Sequence, residues 1–309
     1  MLLSVATKNR DNPTYHQAMN GPDCDGFKEA MDVEYNTLQE VMKAWDIVSR
    51  TSGMNVLGST WAFARKLYPD GSFNKFKGKF CVRGDQQIEG VDFFETFAPV
   101  VQWTTIRLLL IMTIHLNLSS MQVDYTSAFL HADIKDEVYV DMPRGFKIPG
   151  KVLKLKKSLY GLRQSPRNFF LHLKNKMENV GFVQSDADPC LFVHQDMICL
   201  VYVDDCLFFA PDDSKFEEML EKLRGENLTL EREDDVAGFL GVKLNVSQES
   251  GTVELLQSGR IDRIITAMGL ENENSISTPA EYGALPKDEE GEPCNEDFNY
   301  PAIVGMLLY

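Results

Sequence analysis

Residues 198–209 read ICLVYVDDCLFF, and two aspartates, Asp204 and Asp205, stand inside this apolar run. Ionised and unpaired there, they would be costly. Two carboxylates about 4 Å apart repel by roughly 4 kcal/mol at an effective dielectric near 20. A tight turn between two strands accommodates such a pair, because Asp suits turns; a divalent cation does so as well. A third aspartate, Asp124, closes another apolar strand, SMQVDY, eighty residues upstream. If the two strands lie side by side, three carboxylates meet at one end of a sheet and need a hard cation between them. Mg²⁺ is held by one or two carboxylates together with substrate phosphates. Two such ions about 4 Å apart activate a hydroxyl nucleophile and stabilise the leaving oxygen.

A second stretch suits a polyanion. In STWAFARKLYPDGSFNKFKGKFCVRGDQQ (59–87), Pro69-Asp70-Gly71 is a turn signal between two strand-like runs, so a β-hairpin is predicted. Lys75, Lys77, Lys79 and Arg83 fall at even spacing and share one strand face. Phe76, Phe80 and Val82 point the other way. A row of cations is suited to phosphates, although a solvated strand face reads the same way. The net charge of −15 hides an asymmetry: residues 1–59 carry −3, residues 60–175 carry +7 and residues 176–309 carry −19. A polyanion needs a local basic surface rather than a basic average.

The chain has 309 residues, enough for one large domain or two to three subdomains. The six cysteines show no CxxC pair and read as reduced thiols of an intracellular protein. Zinc ligation by Cys190, Cys199 or Cys206 lacks the spacing of a zinc site. MLLSVATKNR does not read as a signal peptide. The longest apolar run, IRLLLIMTIHL (106–116), is too short to span a bilayer. No phosphate-loop, dinucleotide or zinc-peptidase motif is present. Ser165 and Cys206 have no neighbouring histidine to make them nucleophiles.

The elements that must position the aspartates can be read in outline. Residues 1–26 look like a loose leader, and 27–45 have the apolar spacing of an amphipathic helix. Helices are predicted at 104–117, 165–181, 215–224 and 259–268. Ser165 with Pro166 opens the second, a Ser214/Glu217 capping box the third, and Gly269 closes the last. Strands are predicted at 138–142, 152–155, 190–194, 198–203, 206–210, 239–246 and 252–256. Residues 271–300 read as an acidic linker, and YPAIVGMLLY as the apolar end of a segment cut from something longer. Strands and helices without regular βα alternation imply an α+β fold.

Several motifs occur in one order: WAFARKLYPDGSFNKFKGKFCVRG (61–84), GVDFFETFAPVVQWTTIRLLL (90–110), QVDYTSAFLHADIKDEVYVDMPRGF (122–146), LKKSLYGLRQSPRNFF (155–170), VYVDD (201–205) and FLGVKL (239–244). From about residue 27 to its end the chain resembles the reverse transcriptase domain of copia-type LTR retrotransposon polyproteins. The resemblance departs at His131-Ala132, where Asn-Gly is usual, and at KGKFCVRG, where KARLVAKG is usual.

This resemblance implies a right-hand polymerase. Fingers would comprise 27–97 and 134–158, and a palm with a mixed or antiparallel sheet would comprise 98–133 and 159–250. A partial, truncated thumb or connection would follow at 251–309. It implies an RNA-directed DNA polymerase using two Mg²⁺ ions, with Mn²⁺ as an alternative occupant. Asp124, Asp204 and Asp205 match the metal-binding aspartates. Lys66, Lys77 and Lys79 match the fingers hairpin at the triphosphate. Phe129, beyond Tyr125, matches the aromatic that rejects a 2′-hydroxyl. Tyr160, Gly161 and Gln164 match the loop beside the incoming nucleotide. Lys75, Arg83, Tyr202, Val203 and Gly241 are expected along the nucleic acid, and Lys215 is a weaker candidate for a general acid. Implied partners are an RNA or DNA template with primer, dNTPs, and RNase H and integrase segments of the polyprotein. No membrane partner is implied. The implied location is the cytoplasm, in virus-like particles, with nuclear access. The alternative is a decayed or repurposed copy that binds nucleic acid without polymerising.

Overall fold

The computed structural model describes residues 11–67, 72–233, 243–247, 250–274 and 300–308. The Pro69–Gly71 turn, Gly241 and most of the 271–300 linker lie outside the described residues. The chain is a mixed α+β protein.

The N-terminal part begins with helices α1 (Tyr15–Asn20) and α2 (Cys24–Asn36). Strands β1 (Trp45–Ser49), β2 (Val56–Leu57), β3 (Ser59–Leu67) and β4 (Phe73–Val82) follow. Residues 14–26 are therefore not a loose leader. Thr14 and Gln17 form a reciprocal capping box at the start of α1, and Ala18 is buried in the core. The amphipathic helix also ends earlier than its spacing suggests. A π-helical turn at Thr37–Val41 and a left-handed Lys43 redirect the chain. Trp45 thus enters a strand, where it is buried edge-on against Phe80 at 5.7 Å.

Helix α3 (Trp103–His115) leads into β5 (Ser119–Tyr125) and the short α4 (Ala128–His131). Strands β6 (Tyr139–Asp141) and β7 (Lys151–Leu155) return to the N-terminal part. There β1, β7, β6 and β2 form one sheet and β3 pairs with β4. Both share a core with α1 and α2, built on Phe27, Met31, Trp45, Trp61, Phe63 and Phe80.

Helix α5 (Ser165–Asn179) is followed by β8 (Val183–Gln184), β9 (Leu191–His194), β10 (Met197–Tyr202) and β11 (Asp205–Ala210). Helix α6 (Ser214–Gly225) and β12 (Leu230–Glu233) come next. The start of α6 is held by Asp212, which accepts from the Ser214 N–H at 3.0 Å, rather than by a Ser214/Glu217 box. The last described elements are the hairpin β13 (Lys243–Ser247) with β14 (Thr252–Leu256), α7 (Ser258–Met268) and α8 (Tyr300–Leu308).

Strands β12, β5, β11, β10, β9 and β8 form a six-stranded sheet in that order, with every pair antiparallel. Its side chains alternate with period two. Met121, Val123, Tyr125, Cys199, Val201, Cys206 and Phe208 face α5 and α6. Leu200, Leu207 and Phe209 face α3. Both faces are covered, which explains the near-continuous apolar run around Asp204 and Asp205.

The two parts meet backbone to backbone. The Val82 N–H at the end of β4 donates to the Tyr160 carbonyl at 2.8 Å. Gly161 has φ +93°, and a Cβ there would lie 2.1 Å from the Val82 carbonyl oxygen. This close backbone approach at Gly161 is made by the protein's own β4. Gly161→Ala is therefore expected to lower stability by about 1–3 kcal/mol, since it combines left-handed backbone with a steric overlap. Denaturant unfolding of the variant against wild type checks this; an unchanged midpoint contradicts it.

Candidate active site

The apolar packing of β5 and β11 fixes where the aspartates emerge. Asp124, near the end of β5, stands directly opposite Asp205 in β11. The Tyr125 N–H donates to the Asp204 carbonyl at 3.1 Å. Asp204 occupies the two-residue turn between β10 and β11 together with Val203, whose φ is +56°. That conformation is uncommon for a β-branched residue, and such strain concentrates at functional turns.

Asp124 and Asp204 line a cleft of about 360 Å³ between the sheet end and the β3–β4 hairpin. Lys75, Lys77 and Lys79 of β4 line the facing wall, and Tyr160 lies beside them. The Lys79 ammonium sits 3.0 Å above the centre of the Tyr160 ring, a cation–π contact. Phe129 packs against Tyr160 at 4.6 Å, buried and outside the lining. Burial raises the Tyr160 hydroxyl's pKa, and nearby Asp204 and Asp124 push the same way. Burial also raises the Asp124 pKa, reinforced by Asp204 and Glu231 and opposed by Lys77 and Lys79. The cleft therefore holds facing charges of opposite sign with carboxylates crowded on one side.

The other sequence candidates have different surroundings. Lys66 is exposed, opposite Lys75 in the hairpin and outside the cleft lining. Arg83 makes a two-point contact with Asp85, at 2.6 and 2.8 Å. Gln164 is buried in an amide network rather than at the cleft. It accepts from Gln87 at 2.9 Å and donates to the Asp92 carbonyl at 2.8 Å and to Asp136 at 3.2 Å. The Tyr125 ring is core, 5.7 Å from Phe169. Tyr202, paired with Asp205, and Val203 form the turn that carries Asp204. Lys215 lies on α6 and pairs with Asp196 at 3.6 Å.

Two lining carboxylates were not found from sequence. Glu34 of α2 accepts the Phe80 N–H at 3.2 Å, and burial raises its pKa against the pull of Lys79 and Lys77. Its signal was a charge on the apolar stripe of Phe27, Met31 and Leu38. Glu231 of β12 stands opposite Asp124. Its signal was the alternation of Leu228 and Leu230 with Thr229 and Glu231, which marks a short strand.

The donor set suits a hard divalent cation: carboxylate oxygens, half-buried, with phosphate-seeking lysines across the gap. Among the described residues no three His, Cys, Asp or Glu side chains close on one point. The arrangement is an open seat of strand-end carboxylates, and Mg²⁺ needs only one or two of these beside waters and substrate oxygens. Asp124 and Asp204 are the pair on the cleft wall.

In an α+β protein, carboxylates that face a lysine wall are a charge arrangement suited to a phosphate-bearing ligand. The family can be named: the model for reverse transcriptase (RNA-dependent DNA polymerase) matches residues 42–282, and the chain belongs to that family. Among curated relatives, the retrovirus-related Pol polyprotein from transposon TNT 1-94 of Nicotiana tabacum is 30% identical over 322 residues, covering 99% of this chain and 24% of that one. The Pol polyprotein from transposon RE1 of Arabidopsis thaliana is 32% identical over 298 residues, covering 92% and 20%. The transposon Ty1-OR Gag-Pol polyprotein of Saccharomyces cerevisiae is 26% identical over 307 residues, covering 92% and 17%. These relatives support the copia-type resemblance, and the chain spans about a quarter or less of their length. A solved foamy viral protease–reverse transcriptase in complex with double-stranded DNA overlaps 77% of this chain and 36% of its own, at 16% identity and a TM-score of 0.39. No described helix is long and apolar enough to cross a membrane.

Lys79 gives a pH signature. Burial, then the neighbouring Lys77, lowers its pKa from the ordinary 10.5. Its charge, and any anion affinity that depends on it, is lost at lower pH than for a free lysine. In lysine-labelled protein followed by NMR, Lys79 is expected to titrate below 10.5. Lys77→Met should move that titration upward, because a repelling cation is removed. A Lys79 that titrates at or above the ordinary value contradicts this.

Proposed function

We propose that this chain is the RNA-directed DNA polymerase domain of a copia-type retrotransposon. It would extend a primer 3′-hydroxyl with dNTPs by two-metal phosphoryl transfer. The observation that carries the reading is one cleft in which Asp124 and Asp204 face Lys75, Lys77 and Lys79, in a chain of the reverse transcriptase family. The fold is read as a right hand. Fingers comprise 27–97 and 134–158, the palm 98–133 and 159–250, and a partial thumb or connection 251–309.

Asp124, Asp204 and Asp205 would hold two Mg²⁺ ions. When bound, the metal lowers the pKa of the primer hydroxyl and balances charge on the leaving oxygen. Asp124 and Asp204 orient the site, because their strand ends are fixed by the β5–β11 pairing. Lys77 and Lys79 neutralise triphosphate oxygens, and Lys75 continues the same face toward the nucleic acid. Tyr160, braced from behind by Phe129, offers a ring edge to the sugar once Lys79 turns to phosphate. Gly161 acts one step away, by fixing the Tyr160 loop against β4, and Gln164 by tying that loop to Gln87, Asp92 and Asp136. The proposed partners are template with primer, dNTPs and the RNase H and integrase segments of a full polyprotein. The proposed setting is a cytoplasmic particle with nuclear access.

Primer extension on an RNA template with Mg²⁺ tests this. Asp204→Asn should lower extension on the order of a thousandfold, as loss of several kcal/mol of metal-borne stabilisation implies. Extension that persists in the variant defeats the mechanism. Absence of extension in wild type, with nucleic-acid binding intact, would favour a non-polymerising copy.

A further inference from the structure

The β3–β4 hairpin is a two-stranded sheet of its own, so strand pairing does not hold its lysines against the sheet that carries Asp124 and Asp204. A seam between the end of β4 and the Tyr160 loop joins the two. That loop runs into α5, which packs on the six-stranded sheet through Phe169, Leu173 and Met177. Beside the bond from Val82 to Tyr160, a Cβ at Gly84 would collide with the Gly161 carbonyl. The Arg163 Nε–H donates to the Gly84 carbonyl at 2.9 Å. Gln87, buried just beyond, closes the seam with its side chain. Its Oε1 accepts the Arg163 backbone N–H at 2.8 Å, and its Nε2 donates to the Gln164 Oε1 at 2.9 Å. The direction of these bonds is fixed at both ends. A backbone N–H can only donate, and the Asp92 carbonyl, which accepts from the Gln164 Nε2 at 2.8 Å, can only accept. A neutral amide between them meets both demands. An ionised glutamate can only accept, and a methionine cannot donate and barely accepts. Gln87 lies outside the cleft lining, so its influence there passes through the loop.

We infer that Gln87 is a positioning residue for the cleft: by holding residues 163 and 164 against the end of β4, it keeps Tyr160 under the Lys79 ammonium. The 3.0 Å cation–π contact between those two side chains depends on that hold. The consequence for substrate rests on the polymerase reading above. In that reading Lys77, Lys79 and Tyr160 bind the nucleotide, and Asp124 and Asp204 serve the chemistry. A loosened seam therefore weakens nucleotide binding more than turnover.

The test has two readouts: the Lys79 side-chain shifts in ¹³C-lysine-labelled protein, and KM against kcat for dNTP in Mg²⁺-dependent primer extension. In wild type the Tyr160 ring should move the Lys79 ε-protons upfield. Gln87→Met is expected to abolish that shift and to raise KM roughly tenfold, the scale of one or two net hydrogen bonds, with kcat little changed. Gln87→Glu, which keeps an acceptor for Arg163, should fall between, and it decides the matter if Gln87→Met does not fold. Gln86→Met is the control, because Gln86 in the same turn accepts the Gly58 N–H at 2.7 Å instead; it should match wild type in both readouts. An unchanged Lys79 shift or an unchanged KM in a folded Gln87 variant overturns the inference. Equal losses in Gln86→Met also overturn it, because general loosening of the turn would then explain them. A wild-type Lys79 without the upfield shift contradicts it outright. A wild type that shows the shift but extends no primer contradicts the polymerase reading instead, and the shift comparison then still decides whether Gln87 holds Tyr160.

Discussion

The site depends on the antiparallel register of β5 with β11. Six consecutive pairs, from Asp205 opposite Asp124 to Ala210 opposite Ser119, fix it. A slip of one residue would turn every side chain to the other face. Val123 and Tyr125 would leave the α5–α6 core, and Asp124 would enter it. Magnitudes decide the matter. Each buried large apolar side chain contributes about 1.5–3 kcal/mol, and the strands bury Met121, Val123, Tyr125, Cys206 and Phe208 on that face alone. Carboxylate repulsion of roughly 4 kcal/mol cannot overturn that sum. The core therefore dictates where the charges stand.

The same logic sorts the basic middle of the chain. Its surplus of seven positive charges is not one surface. Lys147, Lys154, Lys156 and Lys157 pair with Asp141, Glu137, Asp46 and Asp133 on the N-terminal part. Exposed pairs of this kind add little stability, but they lower the field available to an anion. Arg83 is similarly engaged by Asp85. Lys75, Lys77 and Lys79 differ because their face looks across a cleft at Asp124 and Asp204. Position within the fold, rather than lysine count, separates a binding wall from solvated charge.

What the sequence revealed follows from the range of the interactions. The strands 197–202 and 205–210, expected at 198–203 and 206–210, were legible because a continuous apolar run broken by a two-residue turn is a local signal. Helix α5 was legible through Pro166 and the spacing of Phe169, Leu173 and Met177. The pairing of Asp124 with Asp205 could be stated only as a condition, since it joins strands eighty residues apart in the chain. The short edge strand carrying Glu231 has only four residues and gains its meaning from a non-local partner. Gln164 reads as a cleft residue by motif, yet it is absorbed by Gln87, Asp92 and Asp136, which lie far away in sequence. Trp45 continues a helical spacing that a π-helical turn and a left-handed Lys43 interrupt; neither leaves a local sequence mark.

The central claim is that strand-end carboxylates, placed by an apolar register, form the cation seat. It is tested most directly by anomalous scattering from crystals of the wild-type protein soaked in Mn²⁺. A peak is predicted on the cleft side of Asp124 and Asp204, facing Lys77 and Lys79. Ordered Mn²⁺ elsewhere, with no peak beside Asp124, would contradict it.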